Sequence, residues 1–306
     1  MERKYAVEQA VRVLPRGIRD RLRQEEDWDT GRWEEVRLRA GRGLFVTDDT
    51  GFERPVRLGE KEIFPVTGED LRQTLELATR SSLQGLTEKL SGGYLPLAGG
   101  HRLGIAGTVV LRNGTIQAYR SLSSLNLRIA CPAEGMAQPL LSRLIREGRF
   151  QSTLILAPPG SGKTTLLRDL IRLLSREGIR VGLADERGEV AALRSGVPQL
   201  DVGALTDVMD GCGKGEGILL LLRSMTPDVL AADEITRPED TRALIQGANC
   251  GAALLATAHG TDPDGLQLRE AYVPLLQQRL FRYLVTISRT GSQRQIAVQP
   301  MPEWRG

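Results

Sequence analysis

Histidine and cysteine are scarce in this chain, two and three residues among 306. Cys131, Cys212 and Cys250 stand far apart with no C-x-x-C spacing, which argues against a structural zinc site and for a reducing compartment. His101 and His259 alone do not suggest a histidine-rich metal centre. Charge of a single sign is lacking too. The 41 basic and 38 acidic side chains leave a net charge of +3, too small by itself to argue for nucleic acid or anionic lipid. Aromatic residues make up 4% of the chain and leave few surfaces for bases to stack on, so a nucleic-acid partner is not expected. No apolar run is long. The longest, Ile218 to Leu222, falls far below the ~18 residues that spanning a membrane needs. Met1-Glu2-Arg3-Lys4 is not followed by an apolar core, so no signal peptide is expected. The expectation is a cytoplasmic chain whose membrane role, if any, runs through a partner or a surface contact. What remains is ordinary for a soluble globular protein, 41% hydrophobic and 26% charged, and the length suggests about two domains. Arginine outnumbers lysine, which suits carboxylate or phosphate contacts but is equally consistent with genomic bias.

The chain is organised around Ala157–Thr165, A-P-P-G-S-G-K-T-T. A short apolar run, Thr153-Leu154-Ile155-Leu156, precedes it, and an apolar-periodic stretch, Leu166 to Ser175, follows. A G-K-T match alone occurs by chance in loops; strand, glycine-rich turn and helix around it make a phosphate-binding loop. Gly160 and Gly162 let the backbone curl close to a phosphate, and successive N–H groups at a helix N-terminus point at the anion. The expected nucleotide-binding run is Pro158-Pro159-Gly160-Ser161-Gly162-Lys163-Thr164-Thr165. Within it Lys163 would reach the β- and γ-phosphates of ATP, and the Thr164 hydroxyl would ligate Mg²⁺. Ala157 stands where the pattern G-x-x-x-x-G-K-[ST] has glycine, at a position that only has to be small.

Taken in order, residues 1–30 read as helical pieces broken at Leu14-Pro15 and Gly17. Strands at Val36–Arg39 and Leu44–Val46 follow, then a helix from Thr67-Gly68-Glu69-Asp70 with Leu71, Leu75 and Ala78 at helical spacing. Strands are expected at Tyr94–Leu97, Leu103–Ala106, Val109–Leu111, Ile116–Tyr119 and Asn126–Ala130, with Asn113-Gly114 as a hairpin turn. This first part reads as a smaller α+β domain, residues 1–131, with a mainly antiparallel sheet. Pro132 to Pro139 is the candidate boundary, and residues 132–306 then alternate strand and helix. Strands at Thr153–Leu156, Val181–Ala184, Val229–Ala232 and Leu254–Thr257 interleave with helices at Thr165–Ser175, Gly217–Met225 and Glu239–Ala248. That alternation predicts an α/β domain with a parallel sheet and ligands at the strand C-terminal ends. Tyr283–Ser288 and Gln295–Val298, around Gly291, read as an edge hairpin.

Three polar clusters fall at such strand ends. Pro227-Asp228-Val229-Leu230-Ala231-Ala232-Asp233-Glu234 is an apolar strand closing on two acids. Asp233 would hold Mg²⁺ with Thr164, and Glu234 would orient or deprotonate the attacking water; alone, such a pair merely caps a strand. Asp185-Glu186-Arg187-Gly188-Glu189 is expected after the strand neighbouring the phosphate loop. Its acids, Glu189 first and Glu186 second, suit Mg²⁺-bound or catalytic water, the alternative being a solvated charge cluster. Thr257-Ala258-His259-Gly260 puts an imidazole beside the γ-phosphate position, where it could report loss of the phosphate, although a lone histidine is usually structural.

These clusters, in this order and spacing, resemble the secretion ATPase superfamily of type II and type IV secretion. Within it the chain resembles the stage III sporulation protein AA family. The residues that carry the likeness are Pro158–Thr165, Asp185-Glu186-Arg187, Asp201-Val202-Gly203 with Thr206-Asp207-Val208, Arg223-Ser224-Met225 and Thr257–Gly260. In the first domain Gly99-Gly100-His101-Arg102-Leu103-Gly104 and Leu125–Ala130 add to it. The resemblance implies a RecA-like, Mg²⁺-dependent ATPase that forms a hexameric ring. It further implies a place on the cytoplasmic side of a membrane-embedded channel between mother cell and forespore. Asp233-Glu234 departs from the Gly-Glu of secretion relatives and shifts Mg²⁺ duty toward Asp233. Rings of this kind complete their sites with arginines from a neighbouring domain or subunit, and the candidates are Arg102, Arg120, Arg128 and Arg223, with Arg223 and Arg128 preferred. Any one of them could equally be a solvated surface charge. Two rival readings stay open at this point, a nucleic-acid-binding RecA-like ATPase and a nucleotide-gated scaffold with little hydrolysis.

Overall fold

The computed structural model describes residues 3–79, 93–112, 114–130, 135–290 and 293–303. The chain divides into two compact units, Met1–Pro132 and Ala133–Gly306. The expected turn residues Asn113 and Gly291, and Cys131 and Pro132 at the candidate boundary, lie outside the described residues.

The first unit begins with helices α1 (Arg3–Ala10) and α2 (Arg16–Leu22). Gly17 sits inside α2 and does not break it; the break falls at Leu14-Pro15, because a residue before proline is pushed to extended geometry. Strands β1 (Trp33–Arg39), β2 (Gly43–Asp48) and β3 (Glu53–Pro55) lead to helix α3 (Gly68–Thr79). The start of α3 is sealed reciprocally: Thr67 N–H donates to Asp70 Oδ2 at 2.7 Å, and Asp70 N–H donates to Thr67 Oγ1 at 3.1 Å. Strands β4 (Tyr94–Pro96), β5 (Arg102–Arg112) and β6 (Thr115–Arg128) complete a six-stranded sheet, ordered β3-β2-β1-β6-β5-β4. Every pairing in it is antiparallel. Four of the expected short strands are thus two long ones. The apparent gaps are register irregularities at Ala106/Gly107, Thr108/Val109 and Val110/Leu111, where bulges interrupt the side-chain alternation without ending the pairing. The core joins Val36, Leu38, Leu103 and Leu127 of the sheet to Ala6, Ile18 and Leu71 of the helices.

The second unit opens with α4 (Gln138–Leu144), then β7 (Thr153–Ala157), α5 (Lys163–Arg176), β8 (Val181–Ala184), β9 (Thr206–Met209), α6 (Lys214–Ser224) and β10 (Val229–Ala232). It continues through α7 (Pro238–Asn249), β11 (Ala253–His259), α8 (Val273–Gln277), β12 (Tyr283–Thr290) and β13 (Gln293–Pro300). The sheet order is β9-β8-β10-β11-β7-β12-β13, parallel throughout except for the β12–β13 hairpin at the edge. Strands covered on both faces read as continuous apolar runs, and every residue of β7, β8 and β10 is buried. Alternate side chains go to opposite faces. Ile155, Val181, Leu183, Val229, Ala231 and Val285 pack with Leu166, Leu170 and Leu174 of α5. Leu154, Leu156, Leu230, Leu254 and Leu284 pack with Ile218 and Leu221 of α6 and Leu244 of α7.

One expectation about strand placement needs correction. The acidic box does not follow a neighbour of the phosphate-loop strand, since β10 and β11 lie between β8 and β7. The chain crosses outward after α5 and fills the gap on its return, so sequence adjacency is not spatial adjacency here. The tail hairpin stands at the sheet edge as expected, its first arm β12 pairing parallel with β7 and its second, β13, peripheral. Among the described residues, no helix is long and apolar enough to cross a membrane.

Candidate active site

The C-terminal ends of β7, β10 and β11 converge on one set of side chains. The turn after β7 carries Gly160 at φ +71° and Gly162 at φ +98°, both in the left-handed region where a Cβ is disfavoured. A Cβ built on Gly160 meets nothing within 4 Å, so the space over the turn is open. Gly162 caps α5, a helix of 14 residues whose N-terminus faces that space. The Pro158 carbonyl accepts from Ser161 Oγ at 2.7 Å and from Lys163 Nζ at 3.5 Å, which folds the loop back on itself. Pro159 is exposed on its crest, and Thr165 is half-buried in the first turn of α5.

Lys163 is buried and its ammonium donates to His259 Nδ1 at 2.8 Å. With Nδ1 accepting, the ring proton is on Nε2, which lies 3.0 Å from Glu234 Oε1. Burial pushes the Lys163 ammonium below its ordinary range, and Asp233, Glu234 and Glu189 oppose that shift by their negative charge. Lys163, His259 and Glu234 therefore stand in one line of polar contacts from the helix N-terminus to the end of β10.

A second line runs beneath it. Thr164 Oγ1 donates to Asp233 Oδ2 at 2.8 Å, and buried Thr257 Oγ1 donates to Asp233 Oδ1 at 2.6 Å. The Glu234 N–H in turn donates to Thr257 Oγ1 at 2.9 Å. Glu234 has φ +44°, a left-handed backbone that costs a non-glycine residue about 1–2 kcal/mol and persists only where neighbours hold it. Its other carboxylate oxygen lies 3.5 Å from Arg187 Nη1.

Within the acidic box the three carboxylates differ. Asp185 is 2% exposed and accepts backbone N–H groups from Glu189 (2.8 Å), Val190 (3.2 Å), Ala191 (2.8 Å) and Ala192 (3.3 Å). Asp185 thus shapes the loop. Glu186 faces Arg237 at 3.0 Å and Lys214 at 3.9 Å. Glu189 lines a cleft together with Asp185, Glu186, Arg187, Lys214, Asp233 and Glu234. The hard oxygen donors Thr164 and Asp233, already in contact, fit a Mg²⁺ ion, and the open glycine turn beside Lys163 fits a phosphate chain.

A family model described as sporulation stage III, protein AA matches residues 2–299. The chain belongs to that family. Over 282 residues this family member is 37% identical to the stage III sporulation protein AA of Bacillus subtilis (strain 168), covering 90% of this chain and 89% of that one. It is 29% identical over 147 residues to an uncharacterized protein, ycf45, of Cyanidium caldarium, covering 47% of this chain and 43% of that one. Among solved structures it resembles the Legionella pneumophila ATPase DotB, at TM-score 0.54 and 14% identity, over 87% of this chain and 76% of that one. It also resembles the pilus retraction motor PilT with bound ADP, at TM-score 0.56 and 16% identity, over 87% and 78% of the two chains. At these identities the likeness shows the fold, that of the RecA-like secretion ATPases.

The chain thus brings together Lys163, Thr164, Asp233, Glu234, His259 and Glu189, all named from the sequence. It does not bring Arg223 to these strand ends: Arg223 is exposed in the last turn of α6, whose first residue, Lys214, lines the cleft. Nine residues of helix put the two about 14 Å apart along the axis. In the first unit Arg128 is exposed and 3.4 Å from Glu35, Arg120 is exposed, and the Arg102 guanidinium lies 4.8 Å from the centre of the Tyr94 ring. Sequence reasoning missed Lys214, whose ammonium donates to the Glu234 carbonyl at 2.5 Å. The signal was present in Gly213-Lys214-Gly215, a charge between two glycines just before an apolar helix. Thr257 was quoted without a role, yet it holds both Asp233 and Glu234.

Proposed function

We propose that the chain binds Mg·ATP over the turn after β7 and hydrolyses it. The observation that carries this reading is the convergence of Lys163 Nζ, Thr164 Oγ1, Asp233 and Glu234 at one end of a parallel sheet, linked through His259 and Thr257. The Lys163 ammonium and the loop amides would hold the phosphates. Thr164 and Asp233 would hold Mg²⁺, which when bound neutralises charge on the transferring phosphoryl group. Glu234 would orient the attacking water and accept its proton as the bond from the γ-phosphorus to the ADP oxygen breaks. His259 touches both Lys163 and Glu234, so a phosphate that draws Lys163 away is felt at the carboxylate. Glu189 would hold water at the far wall of the cleft.

The reading extends to assembly. We take residues 1–131 and 132–306 as an N-terminal domain and an ATPase domain that work in a homo-oligomeric ring, a hexamer, with Arg223 and Arg128 contributed between domains or subunits. Membership of the sporulation family and a fold shared with a pilus retraction motor support a motor that energises a membrane-embedded sporulation apparatus from its cytoplasmic side. A second reading, nucleotide binding with little turnover, draws on one observation: both carboxylate oxygens of Glu234 are engaged, by His259 and by Arg187.

Steady-state phosphate release and nucleotide binding decide between them. The reading expects Mg²⁺-dependent hydrolysis by the wild type and binding without hydrolysis by Glu234→Gln. Binding of ATP with equal, negligible turnover in both proteins would replace it with the second reading. A chain that binds no nucleotide ends both.

A further inference from the structure

Glu234 is the one residue of the site in a left-handed, non-glycine conformation, and the structure shows what holds it there. Its N–H is tied to Thr257 Oγ1 at 2.9 Å. Its carbonyl is tied to Lys214 Nζ at 2.5 Å, and Lys214 is 6% exposed, on a different helix from any residue discussed so far as binding nucleotide. A lysine so deeply buried is uncommon unless its ammonium is matched, and here the partners are that carbonyl and, at 3.9 Å, the Glu186 carboxylate.

The approach of Lys214 is itself built. A Cβ on Gly215 would come within 2.8 Å of the Glu239 carbonyl oxygen, so only glycine lets the start of α6 pack this closely on the start of α7. Buried Asp240 fastens the two: it accepts the Gly215 N–H at 3.1 Å, and also the Thr236 and Arg237 N–H groups at 3.3 and 3.1 Å. The segment just after Glu234 and the segment around Lys214 are thereby held to one carboxylate. Arg237, from the same segment, takes the other oxygen of Glu186 at 3.0 Å.

We propose that Lys214 is a positioning residue for the reaction, an ammonium that clamps the carbonyl of Glu234 and so aims its carboxylate, with Glu186 as the counter-charge that keeps the clamp in place. This reassigns Glu186 from a water- or metal-directed acid to a support for Lys214. The proposal rests on the reading of Glu234 as the water-orienting group, and its test separates the two. A displacement of about 1 Å in an orienting group costs about a hundredfold in rate. Lys214→Met in the full chain keeps length and apolar volume but removes the ammonium. It is expected to lower kcat about thirty- to hundredfold with the affinity for an ATP analogue within about threefold, a split that a general loss of folding would not give. Hydrogen exchange at the amides of Glu234 and Ile235 is expected to quicken at least about tenfold while the amides of β10 are unchanged. Lys214→Arg, which restores the donor and charge, is expected to recover kcat to within about fivefold of wild type.

Unchanged exchange at Glu234 and Ile235 overturns the proposal whether or not the wild type hydrolyses ATP. Faster exchange with unchanged kcat overturns it too, and leaves the functional reading standing. A wild-type chain that binds and hydrolyses no nucleotide ends the functional reading, and the exchange arm then still decides whether Lys214 holds the turn. If Lys214→Met does not fold, Lys214→Gln carries the same expectations, with kcat lowered about tenfold because a shorter neutral donor remains.

Discussion

The dipeptide Asp-Glu occurs at the ends of two paired strands, as Asp185-Glu186 after β8 and Asp233-Glu234 after β10. The strands are in register, Ala184 opposite Ala232, so the two acidic pairs start side by side. Their neighbours then separate them. Asp185 is enclosed and its oxygens face backbone N–H groups of its own loop. Asp233 receives side-chain hydroxyls, from Thr164 on α5 and Thr257 on β11. A carboxylate bound by fixed amides is a structural anchor. One bound by hydroxyls can trade a hydrogen bond for a metal ion at little cost, because each hydroxyl oxygen keeps lone pairs for the ion. The second members differ likewise, Glu186 meeting Lys214 and Arg237 while Glu234 meets His259 and Arg187. Position in a strand end does not make an acid chemical; what the adjacent strands offer it does.

The contrast is broken most directly at the second pair. Lys163→Ala or Glu234→Gln is expected to lower ATP turnover about 10²–10³-fold, about 3–4 kcal/mol of transition-state stabilisation, with thermal unfolding little changed. Phosphate-release kinetics beside a melting curve check this, and a large fall in melting temperature with full turnover would invert the contrast. At the first pair the expectation reverses. Asp185→Asn loses the charge that its amide partners face and should destabilise the second unit by about 3 kcal/mol, read by denaturant titration. Asp233→Asn should instead leave stability nearly unchanged and raise the Mg²⁺ concentration needed for half-maximal turnover.

The two histidines sharpen the same point. His259 sits in the site between Lys163 and Glu234. His101 is 1% exposed in the first unit, and its Nδ1 accepts the Ala130 N–H at 3.0 Å. Burial lowers its pKa to about 4 from an ordinary 6.5. The unfolded chain therefore binds the proton more readily, and the contribution to stability is present above the unfolded pKa and lost as pH falls toward the folded one. Between pH 7.5 and 5 the loss amounts to about 2 kcal/mol, and His101→Gln should flatten that part of the curve in urea titrations across pH. The smallest expected effect is that of Glu186→Gln, a reduction of about two- to threefold in kcat, since Lys214 keeps the Glu234 carbonyl as its partner. An effect as large as that of Glu234→Gln would place Glu186 in the chemistry rather than behind it.

Much of this was legible without coordinates. The strand, glycine turn and helix around Lys163 is a local arrangement, and residues within a dozen positions of one another dictate it. The alternation of short apolar strands with helices was sufficient for a parallel sheet, because such strands have no polar face to show water. The first domain was harder. Bulges in β5 and β6 disturbed the period of two, and two long strands looked like four. The order of strands was not readable at all from spacing: nothing local says that β10 and β11 insert between β7 and β8.

By itself the sequence determined the strand, glycine turn and helix around Lys163, the fold class, and the set of strand-end acids and imidazole from which a site is drawn, since each depends on neighbours along the chain. Only the tertiary structure decided which partners each acid meets. That choice turns on contacts between residues far apart in sequence, Thr164 with Asp233, Lys163 with His259, Lys214 with the Glu234 carbonyl. A carboxylate's character is set by the groups within hydrogen-bond reach, and the crossover order of the sheet selects those groups.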